Sequence, residues 1–257
     1  VDIWARQEVT LFLQEGTESY SLGASGYHAT ASYVETEIAT AASSGATTIV
    51  VDSATGITSG YNIGVKQDDG SILWTTVSGA PSGTTVTLAS ALTDDAAVDN
   101  EVYVYQTKIQ RPERIIWAVL RDTDDTDTEV DLIGQDEYMR LSSKTQTGAT
   151  NQICYVNHLT NGTLYAWPSG DGESDKLVMI AQRKLQDFDS STDDLDMPQD
   201  WYLALTWELS NQLTSAYGLP INERAWVRSQ AREYYEEAAN NMKENSELII
   251  SLDRSRR

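Results

Sequence analysis

The chain is short of cysteine, histidine and basic side chains. Cys154 stands alone among its 257 residues, so no internal disulfide can form. It lies in the apolar run Gln152-Ile153-Cys154-Tyr155-Val156, which predicts a strand carrying a buried structural thiol and fits assembly in a reducing compartment. The two histidines, His28 and His158, come without His-x-x-x-His or Cys-x-x-Cys spacing, which argues against zinc. No run approaches the ~18 apolar residues of a membrane helix, and no signal peptide is visible, so the expectation is no membrane partner. Gly-x-Ser-x-Gly, a Walker loop and the dinucleotide glycine fingerprint are all absent, and nothing in the sequence calls for a cofactor. Lys and Arg number 18 against 39 Asp and Glu, a formal charge of −21. Non-specific binding to DNA phosphate runs on Lys and Arg, so this balance argues for repulsion from DNA. Solubility is one use of such a surface; lining a DNA path without gripping it is another.

The carboxylates that are present cluster. Asp122, Asp124, Asp125, Asp127, Glu129 and Asp131 crowd one stretch, and Asp187, Asp189, Asp193, Asp194 and Asp196 another. A calcium loop needs a glycine at its sharp turn and a closing bidentate Glu, and the first run offers no such frame. Solvated acidic loops are the expectation for both. Two carboxylates can meet from anywhere in a chain, so glycan hydrolysis stays open as a class, without a positioned acid and base. Asn161-Gly162-Thr163 matches a glycosylation sequon but reads as a turn. Seven Trp and thirteen Tyr raise a carbohydrate-binding reading. Against it, Trp74, Trp117, Trp167, Trp201 and Trp226 all sit inside apolar patterns that predict core packing.

Hydrophobic periodicity predicts an α+β fold: an antiparallel β-rich core, a C-terminal helical hairpin, and an inserted small all-β barrel or sandwich. Residues 9–13 and 20–23 flank the turn Glu15-Gly16-Thr17 and predict a hairpin. From 38 to 108 charge thins and Ala, Ser, Thr, Gly and Val dominate. Short strands recur there at 48–51, 61–65, 72–77, 84–88 and 102–105, which predicts the inserted domain. The flanking segments, 1–37 and 109–257, form the expected core. Within it, strands are predicted at 110–121, 153–156, 163–168 and 177–181, and a short helix near 136–141. The first C-terminal helix is expected to open at Pro198, with Trp201, Leu205, Leu209, Leu213 and Ala216 as its apolar stripe. Gly218 and Pro220 stop it, and Asn222 is the expected cap of the next. That helix carries Val227, Ala231, Tyr234, Ala238 and Met242 as its stripe. The chain closes on the apolar Leu248-Ile249-Ile250-Ser251-Leu252 and a basic end, Arg254, Arg256 and Arg257.

Several of these stretches, in order, resemble a known family. Asp2-Ile3-Trp4-Ala5-Arg6-Gln7 is followed by Leu11-Phe12-Leu13, Gly16 and Ser19-Tyr20-Ser21-Leu22. Then come Pro112-Glu113-Arg114-Ile115, Glu137-Tyr138, Lys144 with Gly148, and Leu164-Tyr165-Ala166-Trp167-Pro168. Asp196-Met197-Pro198-Gln199-Asp200-Trp201, Tyr217-Gly218-Leu219-Pro220 and Glu247 ahead of the last apolar run complete the series. Across roughly 1–36 and 109–257 the pattern resembles the head-to-tail adaptor proteins of short-tailed bacteriophages, also called tail accessory or packaged-DNA stabilisation proteins. The family begins with helices ahead of its tryptophan, so the resemblance implies residues before Val1.

The resemblance implies a non-enzymatic virion protein at the head–tail junction, assembled in the host cytoplasm. It implies a self-associated ring of about twelve copies, docked on the portal protein and giving a tail nozzle or tail tube protein its platform. DNA would pass through without sequence-specific binding. The resemblance also gives the chain end a role. Leu248, Ile249, Ile250 and Leu252 would add a strand to, or wedge against, a portal surface, and Arg254, Arg256 and Arg257 would pair with its acidic groups; the alternative is that this run folds back on its own sheet. Trp201, Leu205, Leu209, Leu213, Val227 and Tyr234 would form the helical core of the ring wall. The other reading is a virion-associated carbohydrate-binding or adhesin protein acting through the inserted domain.

Overall fold

In a computed structural model of the chain, residues 5–172, 176–185, 190, 194 and 196–241 are described. They divide into two compact units: Arg6–Lys184, and the residues from Leu185 onward with Ala5. The fold is α+β, with antiparallel sheets and a C-terminal pair of packed helices.

The larger unit is built on two facing sheets. One has the order β11-β10-β15-β1-β3, from β1 (Arg6–Phe12), β3 (Ala29–Thr30), β10 (Pro112–Arg121), β11 (Asp127–Glu129) and β15 (Lys176–Arg183). The other has the order β12-β13-β14-β2, from β2 (Ser19–Leu22), β12 (Asp131–Leu132), β13 (Gln152–Asn157) and β14 (Gly162–Trp167). Alternation drives their packing, because successive side chains on a strand point to opposite faces. Val9 and Leu11 of β1, Leu164 and Ala166 of β14, and Leu177 and Met179 of β15 fill the space between the sheets. Cys154 is buried, and burial raises its thiol pKa. The helix α1 (Gln135–Arg140) connects β12 to β13, the pair that runs parallel. Its Tyr138 packs on Tyr165 at 4.7 Å between ring centres.

The expected hairpin between the first two strands does not form. β1 pairs with β15 and β3, while β2 pairs with β14 in the opposite sheet. Gly16, at φ +64°, turns the chain out of one sheet and towards the other. The Tyr20 hydroxyl holds the crossing: it accepts from the Gln14 amide at 2.8 Å and donates to the Gln14 carbonyl at 3.2 Å. Burial pushes its pKa up to about 12.

A third sheet has the order β7-β6-β9-β4-β5-β8. Its strands are β4 (Val34–Thr40), β5 (Thr48–Val51), β6 (Asn62–Lys66), β7 (Ile72–Thr76), β8 (Thr85–Thr87) and β9 (Glu101–Tyr105). It curls around its own core of Ile38, Ile49, Ile63, Val65, Val86 and Val102, among others. β4 bridges the two halves of the curl, pairing with β9 and then, past a bulge between Ile38 and Thr40, with β5. A closed barrel is not reached. The end strands β7 and β8 are joined at their tips around the single bridge Val77–Leu88, where the Ala89 amide reaches the Thr76 carbonyl at 2.9 Å and the Ser78 amide the Thr87 carbonyl at 2.8 Å, so the sheet is a half-barrel. Gly64 lies opposite Trp74 on β7, and a Cβ there would come within 2.6 Å of the indole. Glycine is what lets the ring lie flat across β6.

β1 is buried on both faces, and its second face joins this half-barrel to the first sheet. Phe12 stacks on Tyr103 at 4.2 Å, with Tyr33 edge-on at 5.0 Å and Trp74 at 5.7 Å. His28 continues the seam between Tyr20 and Trp74, at 5.2 and 5.5 Å. Polar contacts border it. The Ile72 amide donates to Gln14 Oε1 at 3.3 Å, the Tyr105 hydroxyl to the Tyr27 carbonyl at 2.6 Å, and Lys176 Nζ pairs with Glu35 at 2.6 Å. Phe12→Ala should cost about 3–5 kcal/mol, as for a large buried aromatic, read as a lowered midpoint in chemical denaturation.

His28 adds a pH dependence. Burial is the main cause that holds its pKa below the ordinary 6.5, opposed by the hydrogen bond of Nδ1 to the Phe12 carbonyl at 3.2 Å. The fold therefore favours the neutral ring. Its contribution is complete above about pH 6.5 and is lost as pH falls from there towards the folded-state pKa. Denaturation midpoints measured from about pH 7.5 down to about pH 5 should decline below pH 6.5, and decline less in His28→Gln.

Candidate functional site

The second unit contains α2 (Asp200–Leu213) and α3 (Ile221–Asn241), packed side by side. Pro198 precedes α2, and its carbonyl accepts the Trp201 amide at 3.0 Å. Beyond α2 the chain leaves helical geometry at Gly218, at φ +65°, where the Leu219 amide reaches back to the Thr214 carbonyl at 3.2 Å. This left-handed stop suits glycine, which has no Cβ to clash. α3 begins at Ile221, so Asn222 lies inside its first turn and is not the cap expected of it.

The seam between the helices is made of small residues and rings. Trp201 and Ala204 of α2, Thr214 just past its end, and Ala231 and Ala238 of α3 are buried, with Val227 and Tyr234 half-buried. Positions 227, 231, 234 and 238 alternate steps of four and three, the spacing that keeps one helix face against a partner. Ring pairs pack along it. Trp201 meets Tyr235 edge-on at 5.5 Å, and Trp207 lies between Trp226 at 5.4 Å and Tyr234 at 5.9 Å.

Of the residues expected to form the helical core, Trp201 and Tyr234 pack in this seam, and Val227 is half-buried on α3. Leu205, Leu209 and Leu213 do not: they are 41, 56 and 42% exposed. The reason is geometric. Steps of four residues advance about 40° around a helix, so a row of leucines begun at Trp201 drifts away from the partner. With Tyr202, also exposed, the leucines give α2 a second apolar face turned to solvent. Trp117 and Trp226, expected in cores, are likewise exposed. Trp74 is half-buried in the aromatic seam, and its Nε1 is buried without a hydrogen-bond partner among the described residues. Leu248, Ile249, Ile250, Leu252, Arg254, Arg256 and Arg257, expected to bind a portal, lie outside the described residues, as does Met242.

The acidic run after β10 is an exposed turn. Asp122 Oδ1 accepts the amides of Asp124 and Thr126 at 2.9 and 2.8 Å. Arg121 clamps Asp127 at the neck at 2.7 and 2.9 Å, and this guanidinium holds the Asp127 carboxyl below the usual range. Sequence reasoning passed over Arg224, Arg228 and Arg232 on α3, whose four-residue spacing was the available signal.

No protein-family model matches this chain, and no curated protein matches it either.

The seam between the helices and the open face of α2 should respond differently to substitution. Ala238→Leu overfills the seam and should cost about 1–3 kcal/mol. Leu209→Ser on the open face should leave the isolated chain within about 0.5 kcal/mol of wild type. Thermal denaturation of the full chain checks both.

Proposed function

We propose that the chain is a structural subunit of a head-to-tail adaptor ring in a short-tailed phage particle. In this reading about twelve copies dock on the portal protein, lengthen the DNA channel, retain packaged DNA and present a platform for the tail nozzle or tube. The observation that carries it is the solvent-facing stripe Leu205, Leu209 and Leu213 with Tyr202. Contiguous apolar faces on soluble proteins mark contact surfaces, and a helix face of this length suits packing against a neighbouring subunit. The ordered sequence resemblance supports the phage assignment. The −21 charge fits a channel that DNA must slide through. At a Debye length of about 8 Å, only the carboxylates near the lumen would act on that DNA, and they would repel it. Residues 248–257 supply the portal anchor, through their apolar run and three arginines.

Size-exclusion chromatography of the full chain, alone and with the portal protein of the same particle, tests the reading. A portal-bound ring is expected. Leu209→Asp should weaken each subunit contact by about 2 kcal/mol, about thirtyfold in association constant. Deleting residues 246–257 should abolish docking. A chain that never joins the portal sinks the adaptor role, and full docking by the truncated chain removes the anchor.

A further inference from the structure

α3 carries Arg224, Arg228 and Arg232 at four-residue spacing, about 6 Å apart along one helix face. They border a groove of about 670 Å³ whose other walls include Asn211, Thr214 and Ile221. In a chain with only 18 basic residues this is a concentration of charge that the helix does not need. Like charges four residues apart repel. Arg224 stands in the first turn of the helix, where the backbone dipole disfavours cations. Arg224 Nε donates to the Leu219 carbonyl at 2.7 Å, and Arg232 pairs with Glu236 at 2.8 Å. Arg228, exposed between them, makes no hydrogen bond or ion pair to the described residues.

We infer that this ridge docks a carboxylate surface of a second copy of the chain, and that the occupant is the β10–β11 turn. The turn is the complementary shape in charge and rigidity. Asp124 and Asp125 are exposed at its tip, and their carboxylates accept no hydrogen bond from the described residues. The Asp122 amide bonds and the Arg121–Asp127 clamp hold the tip in place, so little order is lost on docking. An arginine fork matches a carboxylate with two parallel hydrogen bonds. Ridge and turn are different surfaces, so the contact is head-to-tail, the kind that closes into a ring when the rotation allows. That closure rests on the adaptor reading; the contact itself does not. A nucleic-acid strand is disfavoured as occupant, because Glu223, Glu233, Glu236 and Glu237 share the helix with the arginines.

Sedimentation velocity of the full chain over rising concentration, at about 0.05 M and about 0.5 M salt, measures the contact. Concentration-dependent association should appear at the lower salt and fade at the higher. Arg228→Glu and Asp124→Arg should each weaken it at least about tenfold, and the two together should restore it to within about threefold of wild type. Far-ultraviolet circular dichroism verifies folding, and Arg228→Gln, which adds no charge, should give an intermediate loss. Three results overturn the inference: no association at any concentration, association indifferent to either change, or no recovery in the double variant. So does a short DNA duplex retained by wild type and lost by Arg228→Glu while self-association is unchanged. The two readings fail separately. Self-association through the ridge without portal binding sinks only the adaptor role, and wild-type ring formation on the portal by Arg228→Glu sinks only the ridge.

Discussion

Phe12 stacked on Tyr103 is the contact around which the larger unit is arranged. It requires β1 to be buried on both sides, and that requirement shapes both neighbours. One face of the strand gives Val9 and Leu11 to the space between the two facing sheets. The other gives Phe12 to a ring cluster with Tyr33, Trp74 and Tyr103. β1 is also an interior strand of its sheet, flanked by β15 and β3. Offset ring pairs add about 0.5–1.5 kcal/mol each beyond the area they bury. The half-barrel is therefore seated by several geometry-specific contacts rather than by a greasy patch, and its orientation on the first sheet is defined by them.

Local pattern carried much of the fold. Alternation and turn chemistry located the strands now seen as β5 to β10 and β13 to β15, and helical spacing located α1, α2 and α3. What the pattern could not supply was partner choice. Residues 9–13, Gly16 and 20–23 have hairpin grammar, yet each strand finds better burial with a distant partner, β15 for one and β14 for the other. β4 escaped notice because Glu35 and Glu37 interrupt its apolar reading, although their alternation with Thr36 and Ile38 is the strand signal. Closure of the half-barrel depends on how far β7 and β8 reach, which strand propensity does not encode.

The helices show the same division for the candidate site. A leucine row announces a helix, but two faces of α2 are apolar and only tertiary packing selects one. The selected face is the one with Trp201 and Ala204 against Ala238, because small side chains let backbones approach closely while rings pack beside them. The leucines are left over, and leftover apolar surface on a helix is a stronger pointer to assembly than their mere presence in the sequence. The arginine spacing was legible but had no weight in an argument built on hydrophobic period.

The pairing of β4 with β9 has a kinetic consequence. Val34 sits opposite Val104, so the half-barrel begins and ends at one point, nested inside the longer closure that joins Arg6 to Gln182. Each doubling of an open loop adds only about 0.6 kcal/mol of entropy, but the search it imposes is paid before any contact rewards it. Collapse of residues 34–105 first would shorten that search and present Tyr103 and Trp74 as a ready-made platform. The first strand of the chain would then condense last in its sheet, zipping between β15 and a surface already waiting for Phe12.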